Sequence, residues 1–585
     1  MSFERPLPGP NSPRSDLAPP ATVASNARRR LRARPLWALA SLFLMLGTGH
    51  SHAQPTDSDN PTLAGTGETP MSGDWVIIRI ASEPLHLNPV ASSESTASMI
   101  FDEIFEGLVA FNAQNEIVPH LAHRWESSPQ GTEIIFHLDP RARWADGRPV
   151  TASDVLFTVE RIRDPAWRAA NKRSDFAPLQ SLDALDSLTV RARYAEPTPL
   201  ALQTWDIAII PRHLYDQPFE GHPLNRQPIG SGPYQLREWV PGRHIITERR
   251  GDYWGDTGGY LERIVYKLIP NSTAAFLALK KGDIDLLAVR PVLWDRSTGD
   301  AQLDDRFHRL SYYIDGFTYL GWQCDASRGP FFHDPRVRRA MTLTVNRTNF
   351  VQKTLRGYGR AVTGPFYPDS PYCDSSLVPL PFDPTAAAAL LTAAGWEDHD
   401  GDGLRDKDGT PFRFIALMPT GVSDWEALLN AFREDLKVLG VEMQIQRYEW
   451  GTFYERVQNR DFQMYVIRQN NGQGIPEVYD SWHSSEAETG FNRCGLKDAN
   501  LDRALERYRS TLDPDDRKAQ ARKIHGMLHE LQPVTFVSQS RSLVAVDKRL
   551  RNVIPSPAGV QRYYPGPLQW WVPLSEHRYS ATSAP

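Results

Sequence analysis

The 585-residue sequence predicts an α/β protein. Short runs rich in β-branched residues recur along most of the chain. Longer amphipathic stretches with helix-cap signals alternate with them. No fixed short period links the two kinds of segment, which argues against a solenoid.

The elements follow in order. Residues 75–80 (WVIIRI) read as a strand, and so do residues 133–138. Asp146-Gly147 signals a tight turn. Thr151 then caps a helix to about Ile162, with Asp154 placed to meet the free N–H groups and the helix dipole. Leu188, Val190, Ala192 and Tyr194 alternate with polar residues, a half-buried strand. Residues 264–268 repeat that pattern. A helix over 273–281 stops at Gly282, a residue suited to the left-handed C′ position, and a strand resumes at 284–287. Asp334-Pro335 and Asp383-Pro384 each start a helix as cap plus first-turn proline. Residues 428–439 predict an amphipathic helix, 442–446 a strand, and 501–531 one long helical tract.

Composition bounds the function. With 65 Lys+Arg against 70 Asp+Glu there is no basic excess, which argues against a nucleic-acid partner. Three cysteines, without paired CxxC motifs, exclude a disulfide scaffold and a structural zinc ribbon. Sixteen Trp, 20 Tyr and 24 Phe exclude whole-chain disorder, because such a chain buries enough apolar area to offset ordering entropy.

The N-terminal segment reads as an address. A basic cluster at 28–34 precedes a short apolar run from Pro35 to Leu46, and Ser51-His52-Ala53 offers a small-x-small cleavage site. The apolar run falls short of the roughly 20 residues that span a bilayer. Residues 1–53 are therefore expected to be a signal peptide cleaved near Ala53, and residues 54–73 a disordered spacer. After cleavage the chain holds 58 basic and 68 acidic residues, an acidic exported protein. In an oxidising compartment one disulfide could form among Cys324, Cys373 and Cys494, in any of three pairings.

Several runs resemble the extracellular solute-binding proteins of family 5, the oligopeptide- and dipeptide-binding components of ABC importers. The strongest is residues 144–157 (WADGRPVTASDVLF), similar to the family stretch "DG.P.TA.DV.FS". Leu87-Asn88-Pro89 and residues 104–108 (IFEGL) precede it; residues 229–234 (IGSGPY), 252–255 (DYWG), 281–285 (KGDID), 334–340 (DPRVRRA), 394–396 (AGW) and 501–505 (LDRAL) follow in the family's order. The resemblance implies a two-lobed, periplasmic binding protein type II-like fold with an extra subdomain in the first lobe. Lobe one would span 74–305, with an inserted subdomain at about 100–200. Lobe two would span 306–535, and 536–585 would return to lobe one. A peptide or other small solute entering the cleft would draw the lobes together, and the closed form would dock on an ABC permease in the inner membrane. Closure follows from differential affinity, since the ligand touches both lobes only when shut. A micromolar solute supplies about 8 kcal/mol for binding and closure together. The implied protein is a monomeric periplasmic binder, not an enzyme.

In peptide-binding members a lobe-two carboxylate commonly holds the peptide's amino terminus. An ungapped match over 462–476 (FQMYVIRQNNGQGIP) places Gly472 at that carboxylate's position and Gln469 at a tryptophan's, while Arg468 brings positive charge. The solute implied is anionic or rich in hydrogen-bonding groups, or a peptide held in another way. Candidate contacts are Arg468, Gln469, Asn470 and Asn471 at a strand end. Glu94 and Ser95 lie in the loop after the first strand. Trp205, Trp322, Tyr479 and Trp482 are candidate aromatic walls, since such rings offer large apolar area with few rotamers. For each of these aromatics the competing expectation is core packing.

Residues 398–409 (DHDGDGLRDKDG) set Asp398, Asp400 and Asp402 at alternate positions, with Gly403 next and Asp406 beyond. That is the first part of a calcium loop, and a structural calcium is the one cofactor it would take. Gly409 replaces the bidentate Glu at position twelve, so an acidic turn is the competing expectation. His525 and His529 are expected on a solvated helix face, because Pro533 stands where a zinc motif needs its second His. The rival function is an exported, carbohydrate-active hydrolase with a Trp-lined cleft and a carboxylate pair. Against it, there is no GxSxG elbow, zinc signature or P-loop.

Overall fold

A computed structural model describes residues 69–579 apart from 93, 257 and 489. The expected signal peptide and all but the end of the spacer lie outside the described residues.

One twelve-stranded sheet runs through both lobes. In lobe one, strand Trp75–Ile80 pairs in parallel with Arg263–Leu268, and His244–Arg249 and Tyr234–Val240 follow outward. In lobe two, Met464–Asn470 lies between Arg413–Pro419 and Gly316–Trp322. The long strand Val534–Asp547 joins the halves. Its first part pairs with Gly316–Trp322 and its last part with Phe307–Tyr313. The other crossing is at 314–315, between those same two strands. Gly316 is required there, since a Cβ would stand 2.5 Å from the Gln469 carbonyl oxygen.

Both faces of each half-sheet are buried, which explains the near-continuous apolar runs. Val76, Ile78 and Ile80 face one core of lobe one, and Trp75 and Ile77 the other. In lobe two, Leu320, Trp322, Met464 and Val466 pack on one face; Phe317, Tyr319, Tyr465 and Ile467 pack on the opposite one. Between the strands of lobe one sits a separate antiparallel sheet of four, Ala122–Ser127, Glu133–Leu138, Thr189–Tyr194 and Leu179–Ala184.

The capping grammar holds in detail. Thr151 and Asp154 form a capping box on helix Ala152–Arg163. Asp334 and Asp383 cap Pro335–Thr344 and Pro384–Ala393. Helix Ser272–Lys281 ends on Gly282 at φ +83°. The expected long helix over 501–531 is two helices, Ala499–Ser510 and Pro514–Leu531. Asp513-Pro514 restarts the second by the same cap-plus-proline device, because Pro lacks the N–H that a continuing helix needs.

A buried charge network ties the chain's end to lobe one. Arg549 donates to Asp74 and, at 2.8 Å, to Asp285; Arg578 bonds Asp547 at 2.6 Å. Asp285 in turn accepts from the Ile77 amide at 2.8 Å, anchoring the first strand.

Candidate functional site

A crevice of about 380 Å³ opens on lobe one and reaches lobe two at Gln473. Asp102, Glu103, Phe105 and Gly107 line it, and the chain there is set by the motif glycines. Gly232 N–H donates to the Ile104 carbonyl at 2.8 Å, and a Cβ on Gly230 would sit 1.9 Å from that oxygen. The IFEGL and GSGPY runs therefore mark a close backbone approach, and Ser231 is wholly buried, not a nucleophile's perch.

Charged groups of both signs line this crevice: Asp102, Asp206, Lys172 and Arg562. Burial pushes the Asp102 carboxyl up to about 6, against the lowering influence of Arg562 and Lys172. Burial, then the charge of Asp102, pushes Asp206 up to about 7. Lys172 is brought down to about 8 by burial. Its ammonium donates to the carbonyl of Pro89 and to those of Val90 and Ser92 at 3.2 and 3.1 Å. Aromatic surface comes from Phe111, Tyr563 and Tyr564, the last with its ring 4.5 Å from that of His120.

A second cavity of about 240 Å³ lies in lobe two, lined by Tyr319, Tyr465, Gln469, Asn470, Trp482 and Arg493 among others. Arg493 donates to the Tyr454 hydroxyl at 2.9 Å and lies over the Tyr454 and Phe491 rings. Burial disfavours its charge, but Tyr319, Tyr454 and Tyr465 outweigh that and hold its pKa above the ordinary value. The loop after strand Met464–Asn470 connects the cavities, with Gln469 and Asn470 on one and Gln473 on the other.

The same loop touches lobe one. The Gln203 side chain donates to the Ile475 carbonyl at 2.9 Å and accepts from its amide at 2.8 Å. Asn115 accepts from the Gly474 amide at 2.9 Å. Nearby, Asp175 of lobe one faces Glu477, Asp480 and Arg509 of lobe two; burial, Asp480 and Glu477 push it up to about 7.

The sequence-predicted residues divide. Gln469, Asn470 and Trp482 line the lobe-two cavity. The Trp482 indole N–H is buried without a partner among the described residues. Tyr479 stacks on His483 at 4.1 Å beneath Arg509, beside the cross-lobe acids but not on either cavity. Arg468 lines neither cavity, and its guanidinium bonds the Asn470 side chain at 3.0 Å. Asn471 is a hinge clamp: its amide side chain donates to Asp315 at 2.7 Å and to the Pro365 carbonyl at 2.8 Å. Glu94 and Ser95 begin helix Ser95–Phe101, and Glu94 accepts from the Leu85 amide at 3.1 Å. Ser92, Ser98 and Met99 reach the crevice in their place.

Two expected walls are core. Trp205 is fully buried against Phe136 and Phe176, its N–H on the Tyr194 hydroxyl at 3.0 Å. Trp322 is fully buried against Phe332, its N–H on Thr535 at 3.2 Å. His525 and His529 are also buried, not solvated. His525 accepts from the Asp374 amide at 3.0 Å, and burial brings it down to about 4, so it packs as a neutral ring. Asp398, Asp400 and Asp402 do converge, with oxygens within 4.8 Å of one another, all exposed. Asp406 turns away to His399, bonding its ring at 3.1 Å. The three cysteines are thiols, and the Cys324 amide bonds the Cys494 carbonyl at 2.8 Å.

Sequence reasoning missed Asp102, Lys172, Asp206, Arg493 and Arg562. Only the IFEGL motif, which follows Asp102 and Glu103, offered a signal.

Comparisons with known proteins agree with this geometry. The chain is 25% identical over 531 residues to the oligopeptide-binding protein AppA of Bacillus subtilis, covering 88% of this chain and 95% of that protein. It is 25% identical over 503 residues to the nickel-binding periplasmic protein of Escherichia coli, covering 82% and 92%. The solved structure of B. subtilis AppA in complex with a nonapeptide superposes with a TM-score of 0.77 at 26% identity, over 86% of this chain and all of that one. Residues 116–491 match the description of the bacterial extracellular solute-binding proteins, family 5. With its two-lobed sheet, a mixed-charge crevice on lobe one that reaches lobe two, and this match over more than half of its length, the chain belongs to that solute-binding family.

Proposed function

We propose that the protein is the periplasmic solute-binding component of an ABC importer, a monomer that captures a peptide or peptide-like solute between its lobes and delivers it to an inner-membrane permease. The observation that carries this is the contact made by Gln203 and Asn115 across the lobes, over a crevice holding charges of both signs. A crevice of about 380 Å³ lies within the usual range for small-solute sites, roughly 300–1,000 Å³. The relative from B. subtilis holds a nonapeptide, and another from E. coli is described as a murein tripeptide binding protein. A binding role needs no catalytic group, and the acids in the crevice suit recognition of charge.

Native mass spectrometry of protein purified from its own host tests this. A co-purified peptide or peptide-like compound, released chemically unchanged, is the expected result. Fragments of the co-purified compound accumulating with time would instead support the hydrolase.

A further inference from the structure

Asp102, Asp206 and Arg562 share an unusual condition. All three line the same crevice, and none of their side chains makes a hydrogen bond or ion pair with another described residue. They arrive from three places. Asp102 caps the end of helix Ser95–Phe101, and Asp206 ends the short turn Gln203–Asp206 that also carries the cross-lobe Gln203. Arg562 comes from the C-terminal segment.

The charge of Asp102 reaches Asp206. Burial raises both, and Asp102 raises Asp206 further. A raised carboxyl is one whose charged form lacks enough compensation. Arg562 is the cation that lowers Asp102 and Asp206 most, followed by Lys172, whose ammonium is spread over three backbone carbonyls, and together they still leave both carboxyls raised. The two cations thus leave the carboxylates incompletely compensated, and no ion pair ties the Arg562 side chain to either of them.

We propose that Asp102 and Asp206 together are the seat for a cationic group of the solute, an ammonium or guanidinium, with Arg562 beside them taking a carboxylate or carbonyl oxygen. The solute is then read by charge on lobe one, while Gln469, Asn470 and the buried Trp482 N–H offer hydrogen-bonding groups on lobe two. A cation there gives both carboxylates the compensation that Arg562 and Lys172 leave incomplete. Hydrogen bonds to charged groups contribute about twice what neutral ones do, so losing them costs roughly tenfold or more in affinity. This rests on the interlobe crevice being the solute site.

The test uses two libraries of tri- to pentapeptides, one with free amines and one N-acetylated and free of Lys and Arg. Each is equilibrated with the wild-type protein and with the D102N/D206N double variant, and retained peptides are read by native mass spectrometry. The expected result is retention from the free-amine library only, reduced at least about tenfold in the double variant. Equal retention from both libraries, or undiminished retention by the double variant, overturns the seat and leaves the peptide assignment standing. No retention from either library by the wild type overturns both. The single variants D102N and D206N guard against misfolding. Each removes an uncompensated charge, so the melting temperature of the unliganded protein should hold or rise; a fall would mean that these carboxylates serve the fold, which also overturns the proposal.

Discussion

Removing the Gln203 side chain as Q203A tests whether the lobes work as a clamp. Its amide makes two hydrogen bonds to Ile475, at 2.9 and 2.8 Å, and both cross from one lobe to the other. Each is worth about 0.5–1.5 kcal/mol net of water, so the pair favours the closed state by about 1–3 kcal/mol. Because open lobes cannot make these contacts, their loss shifts the closure equilibrium by the whole amount. A solute that binds the closed state then weakens by roughly 5- to 150-fold. Calorimetric titration with the co-purified solute measures the loss, and small-angle scattering of the liganded protein should show a larger radius of gyration. Melting should be unchanged, since neither lobe's core is touched. Gly474→Ala should reproduce the defect by another route, because a Cβ there would sit 2.5 Å from the Gln203 side-chain Oε1 on a backbone with φ of +84°. Affinity within twofold of wild type for both variants, with an unchanged radius of gyration, would refute the clamp.

The remaining predictions concern charge and core. Asp175 holds its proton more tightly when the lobes meet, so closure is favoured as pH falls through about 7 and opposed as it rises; Asp175→Asn should remove that dependence, seen as scattering profiles that no longer change with pH. Burial holds Glu103 up to about 8 from 4.5, with Tyr266 bonding it at 2.8 Å. Its contribution to stability is full below 4.5 and is lost as pH rises toward 8, by about 5 kcal/mol at most. Glu103→Gln matches the neutral acid in shape, so its urea midpoint should fall less than that of the wild type between those pH values; parallel falls would count against it. Arg549→Ala leaves Asp74 and Asp285 buried without their cation and should cost about 3–5 kcal/mol in chemical denaturation. Trp322→Ala should cost a similar amount, about 3–5 kcal/mol, with solute affinity retained in the folded fraction, because that ring is core and not cleft wall.

How far each feature was legible depended on the range of the interaction behind it. Thr151 with Asp154, Asp334-Pro335 and Gly282 are local devices, and each appears where its spacing puts it. The long helix over 501–531 failed because the amphipathic pattern outweighed the Asp513-Pro514 restart inside it. The tryptophans divided for a different reason. A large apolar ring gains most by complete burial, so Trp205 and Trp322 went to the cores, while Trp482 reached the edge of a cavity. Residue type alone does not separate those outcomes.

What the sequence determined by itself was the α/β alternation, the start and stop of most helices and the ordered motifs of the solute-binding family, because capping, turn chemistry and strand pattern act over a few residues. The tertiary structure decided the binding surface. Arg562 joins Asp102, Lys172 and Asp206 because one strand, Val534–Asp547, runs through both lobes and brings the C-terminal segment back to lobe one. The tertiary structure likewise put Gln469 and Asn470 on a cavity and left Arg468 bonded to Asn470. Such proximity is fixed by sheet order and by how the inserted sheet packs, and these are free energies of long-range burial that no short stretch of sequence carries.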